Sequence, residues 1–434
     1  MDNVTHTMIG FIAGEAVFEH SKRTPRKDGA PAGLPVRARQ TALVAVGIAG
    51  SNLPDLDLLW SLGGGSGNHL DYMLRHRGYT HTIIGCAALA LLLYACAEMW
   101  LLARRFTPSA LDRALLFGTA TLTTALHLAM DYLNSYGIHP FWPADNRWFY
   151  GDSVFIVEPL FWMAAAPLVW RLKSRLTRGA YVLAMVAVLA TGAVSRLLTP
   201  VSFALLALGT AALWLAGGRM SAAAAARLSV GLALTVTVAF VAAGQLAARG
   251  AESLAATFLG HEPDALALDH VLTATPANPF CWDVWILGAE RNRYTARRAV
   301  LSIAPSMETA QDCPVSLGPH TATLATIRER DSAGVRWLGE YSIAVPEFLG
   351  YATATCDADA FMQFSRAPFA RAGIEPLLGD LRFDHGRERG SFEIGLGAAP
   401  PIVRGKPPAP TSRQCPRAAP WMAPRADLLD FGSH

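Results

Sequence analysis

The chemistry of this chain is concentrated in four short stretches of its first third. In the segment TTALHLAMDYLNSYG, His127 and Asp131 stand four residues apart. On a helix that spacing puts both side chains on one face, where they can reach a single ion. His76-Arg77-Gly78-Tyr79-Thr80-His81 comes just before an apolar run, Asp55 and Asp57 sit upstream in SNLPDLD, and His6 lies near the start. Histidine and carboxylate groups converging from several helices are what a hard or borderline divalent cation requires. Ionisable side chains within membrane-length apolar segments are costly, so function is their default reading. The pattern therefore implies a membrane-embedded site in which His6, Asp55, His76, His81, His127 and Asp131 hold one to three divalent ions. Zinc is the first expectation for such mixed ligands.

Each of these residues also has a plainer role open to it. Asp55 and Asp57 follow Pro54 and could cap or turn a helix end, although carboxylates two apart on an extended segment point the same way. Thr80 could cap the next helix. His127 and Asp131 could form a simple interhelical hydrogen bond. Arg77 has no lone pair to offer a cation; it would either neutralise the carboxylates or grip a phosphoryl oxygen with its two-pronged guanidinium. Asp57 or Glu158 could serve as general base, and Glu158 could equally be a further ligand or the buried partner of an arginine. Asp145 and Asp152 in PADNRWFYGDSVFIVEP are ligand or gate candidates.

These groups need a scaffold, and the composition indicates its kind. The chain has 434 residues, enough by length for two or three soluble domains. Only 16% are charged, against roughly 25% in soluble domains, and the mean hydropathy is +0.27. The apolar runs crowd into residues 82–248, whereas residues 250–434 are polar and mixed. A net charge of +3 says little about partners, and no basic run with interleaved aromatics suggests nucleic acid.

Hydropathy predicts spans at 82–103, 114–135, 154–170, 180–198, 201–215 and 228–248, preceded by shorter apolar stretches at 4–18 and 41–60. Fifteen helical residues reach only about 22 Å, short of a hydrocarbon core of roughly 30 Å. The first stretch thus reads as a short tilted or re-entrant helix. It lacks the basic n-region and small-residue cleavage site of a secretory signal. Basic residues fall in alternate loops: Lys22 to Arg39, Arg104 to Arg113, Arg171 to Arg178, and Arg219 with Arg227. If both short stretches cross, these loops share one face, which the positive-inside rule makes cytoplasmic. Eight crossings then place both termini and every proposed ligand outside.

Cys281, Cys313, Cys356 and Cys415 form an even set in the polar half, compatible with disulfides in any of three connectivities. Cys86 and Cys96, inside a predicted span, read as small buried hydrophobes. Alternating aromatic and β-branched positions at 280–304 and 335–345, with another candidate at 390–396, suit strands. The prolines between 400 and 424 predict an irregular tail. The expected fold is an all-α polytopic membrane bundle of about six to eight spans with a small β-rich C-terminal extracytoplasmic domain. Its expected divisions are a metal-site region (1–165), further transmembrane helices (166–249), the β-rich domain (250–399) and the tail (400–434).

Taken together, the T-H-T-x-x-G at 5–10, L-P-D-L-D at 53–57, H-R-G-Y-T-H at 76–81, H-x-x-x-D at 127–131 and F-W-P-x-x-x-R-W-F-Y-G-D at 141–152 resemble the YdjM-like family of bacterial inner-membrane proteins. That family is described as membrane-bound metal-dependent hydrolases, and the matching motifs span about residues 1–165. A more distant likeness is to the zinc-dependent phospholipase C and single-strand nuclease superfamily, which carries an H-x-x-x-D pair on one helix. By that likeness His6, Asp55, His127 and Asp131 would be ligands and His139 an additional one. The resemblance implies metal-assisted hydrolysis at the outer face of the inner membrane, on a small phosphoester or lipid-headgroup substrate. The alternative is a metal-stabilised scaffold or transporter without catalysis.

Overall fold

The structure, a computed structural model, describes residues 1–23, 33–59, 69–259, 265–315, 322–327, 329–384, 392–397 and 419–430. Its N-terminal half is helical. The helices are α1 (Asn3–Ser21), α2 (Val36–Gly50), α3 (His69–Arg75), α4 (Ile83–Ala103), α5 (Ala110–Tyr132), α6 (Pro159–Trp170), α7 (Arg175–Val194), α8 (Pro200–Arg219) and α9 (Ala222–Leu259). Short 3-10 turns at Leu53–Asp57 and Tyr79–His81 carry the LPDLD and YTH segments.

Local chemistry fixes the helix starts. Asp2 accepts hydrogen bonds from Val4 N and Thr5 N at the head of α1, and the Thr82 hydroxyl accepts from Gly85 N at the head of α4. Ser109 and Asp112 form a reciprocal capping box on α5. Asp112 also accepts from Arg39 Nε at 2.6 Å and Leu34 N at 2.9 Å, fastening the start of α2 and the loop ahead of it to the start of α5. Between α1 and α2 the backbones touch: a Cβ on Gly10 would lie 2.4 Å from the Gly47 carbonyl oxygen. This close approach accounts for the glycine in T-H-T-x-x-G.

Among the described residues, four helices are long and apolar enough to cross a membrane: α4, α7, α8 and α9. This is fewer than the six to eight expected, and the other predicted spans differ from these four in separate ways. The 41–60 stretch is broken, because α2 ends at Gly50 and a 3-10 turn follows. The 154–170 stretch is helical only from Pro159, giving 12 residues or about 18 Å. Helix α5 is long but amphipathic, with Asp112, Thr119, Thr123, Thr124, His127 and Asp131 all buried inside the protein. Helix α1 likewise turns His6, Glu15 and Glu19 inward.

Helix α9 is 38 residues long, about 57 Å. It runs on from its apolar stretch into the C-terminal region, where Ala243, Ala247 and Ala251 share a core with Trp282, Val284 and Ile286. The sheet there is an antiparallel meander in the order β1 (Leu266–Thr275), β2 (Asn278–Glu290), β3 (Arg293–Ser302) and β4 (Val335–Ala344). Arg291 and Asn292, both at positive φ, make the two-residue turn between β2 and β3. Helices α10 (Val345–Ala352) and α11 (Cys356–Met362) lead to a second sheet of β5 (Pro368–Arg371), β6 (Leu377–Asp380) and β7 (Glu393–Gly395), and α12 (Ala426–Asp430) lies near the end of the chain.

Cys281 and Cys313 form a disulfide, and Cys356 is also disulfide-bonded; Cys415 lies outside the described residues. Cys86 is buried as expected, but Cys96 is exposed on α4. Most of the proline-rich stretch expected to be irregular also lies outside the described residues. Its end does not hang free, since Trp421 is buried and donates from Nε1 to the Leu74 carbonyl at 2.8 Å.

Candidate metal centre

The helix ends converge at one end of the bundle. His6 stands one turn into α1, Asp55 and Asp57 just beyond α2, His81 just before α4, and His127 and Asp131 in the last turns of α5. Asp55, His81, His127 and Asp131 each point one ligand atom into a common space, all within 4.8 Å of one another, and all four residues are buried. His81 Nε2 lies 3.0 Å from Asp131 Oδ2 and 3.3 Å from Asp55 Oδ1. His127 Nε2 lies 3.3 Å and 3.6 Å from the same two oxygens, and the two Nε2 atoms are 3.0 Å apart.

These spacings fit a small tetrahedral cation. Zinc–ligand bonds of about 2.0–2.2 Å imply donor–donor edges of about 3.3–3.6 Å, close to those observed. The protons point the same way. His127 Nδ1 donates to the Ser51 carbonyl at 2.8 Å, which leaves the Nε2 lone pair facing the cluster. His81 Nδ1 lies 3.0 Å from Thr80 Oγ1 and 3.3 Å from Asp57 Oδ2, which does the same for His81. Asp131 Oδ2 is buried with no hydrogen-bond donor. Lone pairs facing one another in a buried space repel unless a cation lies among them, and outer acceptors that orient ligating imidazoles are the usual support of a metal site.

Asp131 is held by its other oxygen. Oδ1 takes Arg77 Nη2 at 3.0 Å and His6 Nε2 at 3.2 Å, and the Met1 amino group also contacts it. His6 therefore reaches Asp131 rather than the four-donor space, and its ring stacks on His127 at 4.0 Å. Arg77 is turned inward and only 1% exposed. It donates to Asn134 Oδ1 at 2.8 Å and lies over the Tyr136 ring. Its φ of 61° presents its backbone N–H to Asp57 Oδ2 at 3.0 Å. The guanidinium thus positions Asp131; of the two roles open to it, it neutralises a carboxylate, though Asp131 rather than Asp55 or Asp57.

His76 falls in a second convergent group with Asp55 and Asp57. There His76 Nδ1 is 2.9 Å from Asp57 Oδ1, and Asp57 Oδ2 accepts from Thr80 Oγ1 at 2.8 Å. Burial holds the His76 imidazole below its ordinary pKa, although Asp57 opposes the shift. This group is hydrogen-bonded within itself, whereas the four-donor group leaves Asp131 Oδ2 without a donor.

Other sequence candidates lie elsewhere. Glu158 caps α6, accepting from Leu160 N at 3.0 Å and Ala277 N at 3.1 Å, and so joins the helix to the β1–β2 turn. Asp145 pairs with exposed Arg147, and Asp152 pairs with Arg366. Glu15 takes Gln40 Nε2. His139 does not face the ion space: its Nδ1 is 3.2 Å from the Arg77 carbonyl and its ring stacks on Trp421 at 3.7 Å. Burial lowers its pKa to about 3.

A cavity of about 410 Å³ adjoins the cluster, lined by Asp57, Leu74, Arg75, Gly78, Tyr79, Thr80, Ala419 and Trp421. Arg75 and Trp421 were not among the candidates from sequence. Arg75 precedes the HRGYTH motif by one residue, so its position was a signal; Trp421 stands alone in a proline-rich stretch and offers none.

Residues 1–200 match the family model described as YdjM inner membrane protein. The match extends beyond the motifs that carry the resemblance, through α7. No curated protein and no solved structure matches the chain.

Proposed function

We propose that the chain is a membrane-bound, metal-dependent hydrolase acting on a phosphoester at the level of the lipid headgroups. The observation that carries this reading is the convergence of four buried donors, Asp55, His81, His127 and Asp131, beside a cavity reached by Asp57. A divalent ion held there, zinc by preference, would supply Lewis acidity and an acidified water. Asp57 faces the cavity and would accept the proton of the attacking water. Thr80 Oγ1 and the Arg77 N–H fix one of its oxygens, and His76 on the other would relay the proton onward. Arg75 would draw in an anionic group, while Tyr79 and Trp421 would flank an apolar portion of the substrate.

Zinc-loaded full-length protein should hydrolyse members of a panel of phosphate mono- and diesters. Asp57→Asn should lower turnover by about 100-fold or more at saturating zinc, within the range for loss of a general base, while weakening zinc affinity by no more than the ~10- to 100-fold expected for an outer partner of His81. A loaded protein inert towards every ester would leave the second reading, a metal-stabilised scaffold. That reading has its own support, since four protein donors complete a tetrahedral shell and structural sites are closed.

The reading also sets the cluster and the C-terminal domain on the outer face of the inner membrane. It rests on the basic ends of α4, α6 and α8 and on a disulfide between Cys281 and Cys313, a bond of oxidising compartments. Reporter fusions placed after Thr257 should read extracytoplasmic and those in the Arg104–Arg105 turn cytoplasmic. The reverse pattern would overturn the orientation.

A further inference from the structure

A second cavity, of about 460 Å³, lies between the end of α1 and the start of α9. It is far from the metal centre: His20 on its wall is 14 residues along α1 from His6, about 21 Å of helix. Glu19, His20 and Arg23 from α1 and Arg227 from α9 surround it, with Ala223 and Val230 among its apolar lining. Glu19 is already neutralised by Lys22 Nζ at 2.6 Å. Among the described residues neither Arg23 nor Arg227 makes an ion pair, so the cavity carries a surplus of positive charge. Arg227 sits near the start of a helix apolar enough to span the membrane, and Ala223, Ala226, Val230 and Gly231 of that helix give the cavity an apolar wall. At Gly231 a side chain would meet nothing within 4 Å.

We infer that this cavity binds an anionic phospholipid, its phosphate held between Arg23 and Arg227 and an acyl chain lying along Ala223, Val230 and Gly231. Charge complementarity at a membrane-helix end selects the occupant, since basic pockets between membrane helices take acidic headgroups. The apolar groove below the arginines selects a lipid over a free anion.

The test uses the full-length protein in detergent, titrated with phosphatidylglycerol or phosphatidylcholine and read by native mass spectrometry. Phosphatidylglycerol should be retained in preference to phosphatidylcholine. Arg23→Gln with Arg227→Gln should weaken its apparent affinity about 30-fold, the scale for two basic residues at an anionic surface. Arg104→Gln with Arg105→Gln, at the end of α4, should leave it unchanged. Gly231→Phe, which fills the groove without touching a charge, should also expel the lipid and serves if the double variant folds poorly. Equal retention of both lipids, or wild-type affinity in both the double variant and Gly231→Phe, would overturn the proposal. Displacement of the lipid by millimolar inorganic phosphate would instead identify a free-anion site, and would overturn it too.

Discussion

Replacing His127 with alanine is expected to lower zinc affinity by more than about 100-fold, since losses of outer supporting groups alone reach that scale. The imidazole contributes one of four converging donors, and its removal also takes a partner from the Ser51 carbonyl, His81 Nε2 and the His6 ring. Asp131→Ala should match it in affinity but also cost stability. Asp131 is the carboxylate on which buried Arg77 and His6 both rest, and an uncompensated buried charge costs about 3–5 kcal/mol. His139→Ala is the control, equally buried but facing Trp421, and should keep full affinity. Competition titration with a chromogenic zinc chelator reads all three variants. Unchanged affinity in His127→Ala would reduce the His127–Asp131 pair to an internal hydrogen bond.

The second large effect belongs to Arg366. Its guanidinium contacts Asp152 at 2.8 Å and Asp269 at 2.8 Å, donates to the His270 carbonyl at 3.0 Å, and lies over the Tyr150 ring at 4.1 Å. Asp152 belongs to the loop after α5, whereas Asp269 is on β1, so one buried cation joins the helical region to the C-terminal region. Burial raises the Asp152 pKa even with Arg366 beside it, a sign that the carboxylate depends on that cation. Arg366→Ala should destabilise the protein by about 3–5 kcal/mol, the usual cost of breaking one side of a buried pair. The melting temperature in detergent should fall, and limited proteolysis should release the C-terminal region first. Zinc affinity in the fraction that remains folded should hold, because none of the four donors touches Arg366. A melting curve like that of the unaltered protein would show that the two regions dock by other means.

The clustered residues were legible because each lies in a local pattern: an i, i+4 pair on a helix, two carboxylates after a proline, two histidines around a glycine. The charge asymmetry of the loops predicts that they share one side, and the structure brings Asp55, His81, His127 and Asp131 together. What the sequence hid was the direction of each side chain. Arg77 reads as a substrate clamp beside His76, but a positive φ turns its chain towards Asp131 and gives Arg75 the cavity instead. Glu158 reads as a base within an apolar run, yet Pro159 makes it a helix cap. Hydropathy alone does not separate a lipid-facing helix from one like α5, which turns a polar stripe to the interior. Trp421, Arg366 and Arg382 act across long chain separations, the last by donating to the Ser135 carbonyl at 2.8 Å. No local periodicity announces contacts of that kind.

The metal centre itself is tested most directly by elemental analysis of the purified full-length protein after zinc loading and exhaustive dialysis. At least one zinc ion per folded chain should remain, and it should be lost in a variant carrying His81→Ala and His127→Ala together. A folded protein that retains no divalent metal, or a double variant that retains as much as the unaltered chain, would contradict the assignment of Asp55, His81, His127 and Asp131 as a metal-binding set.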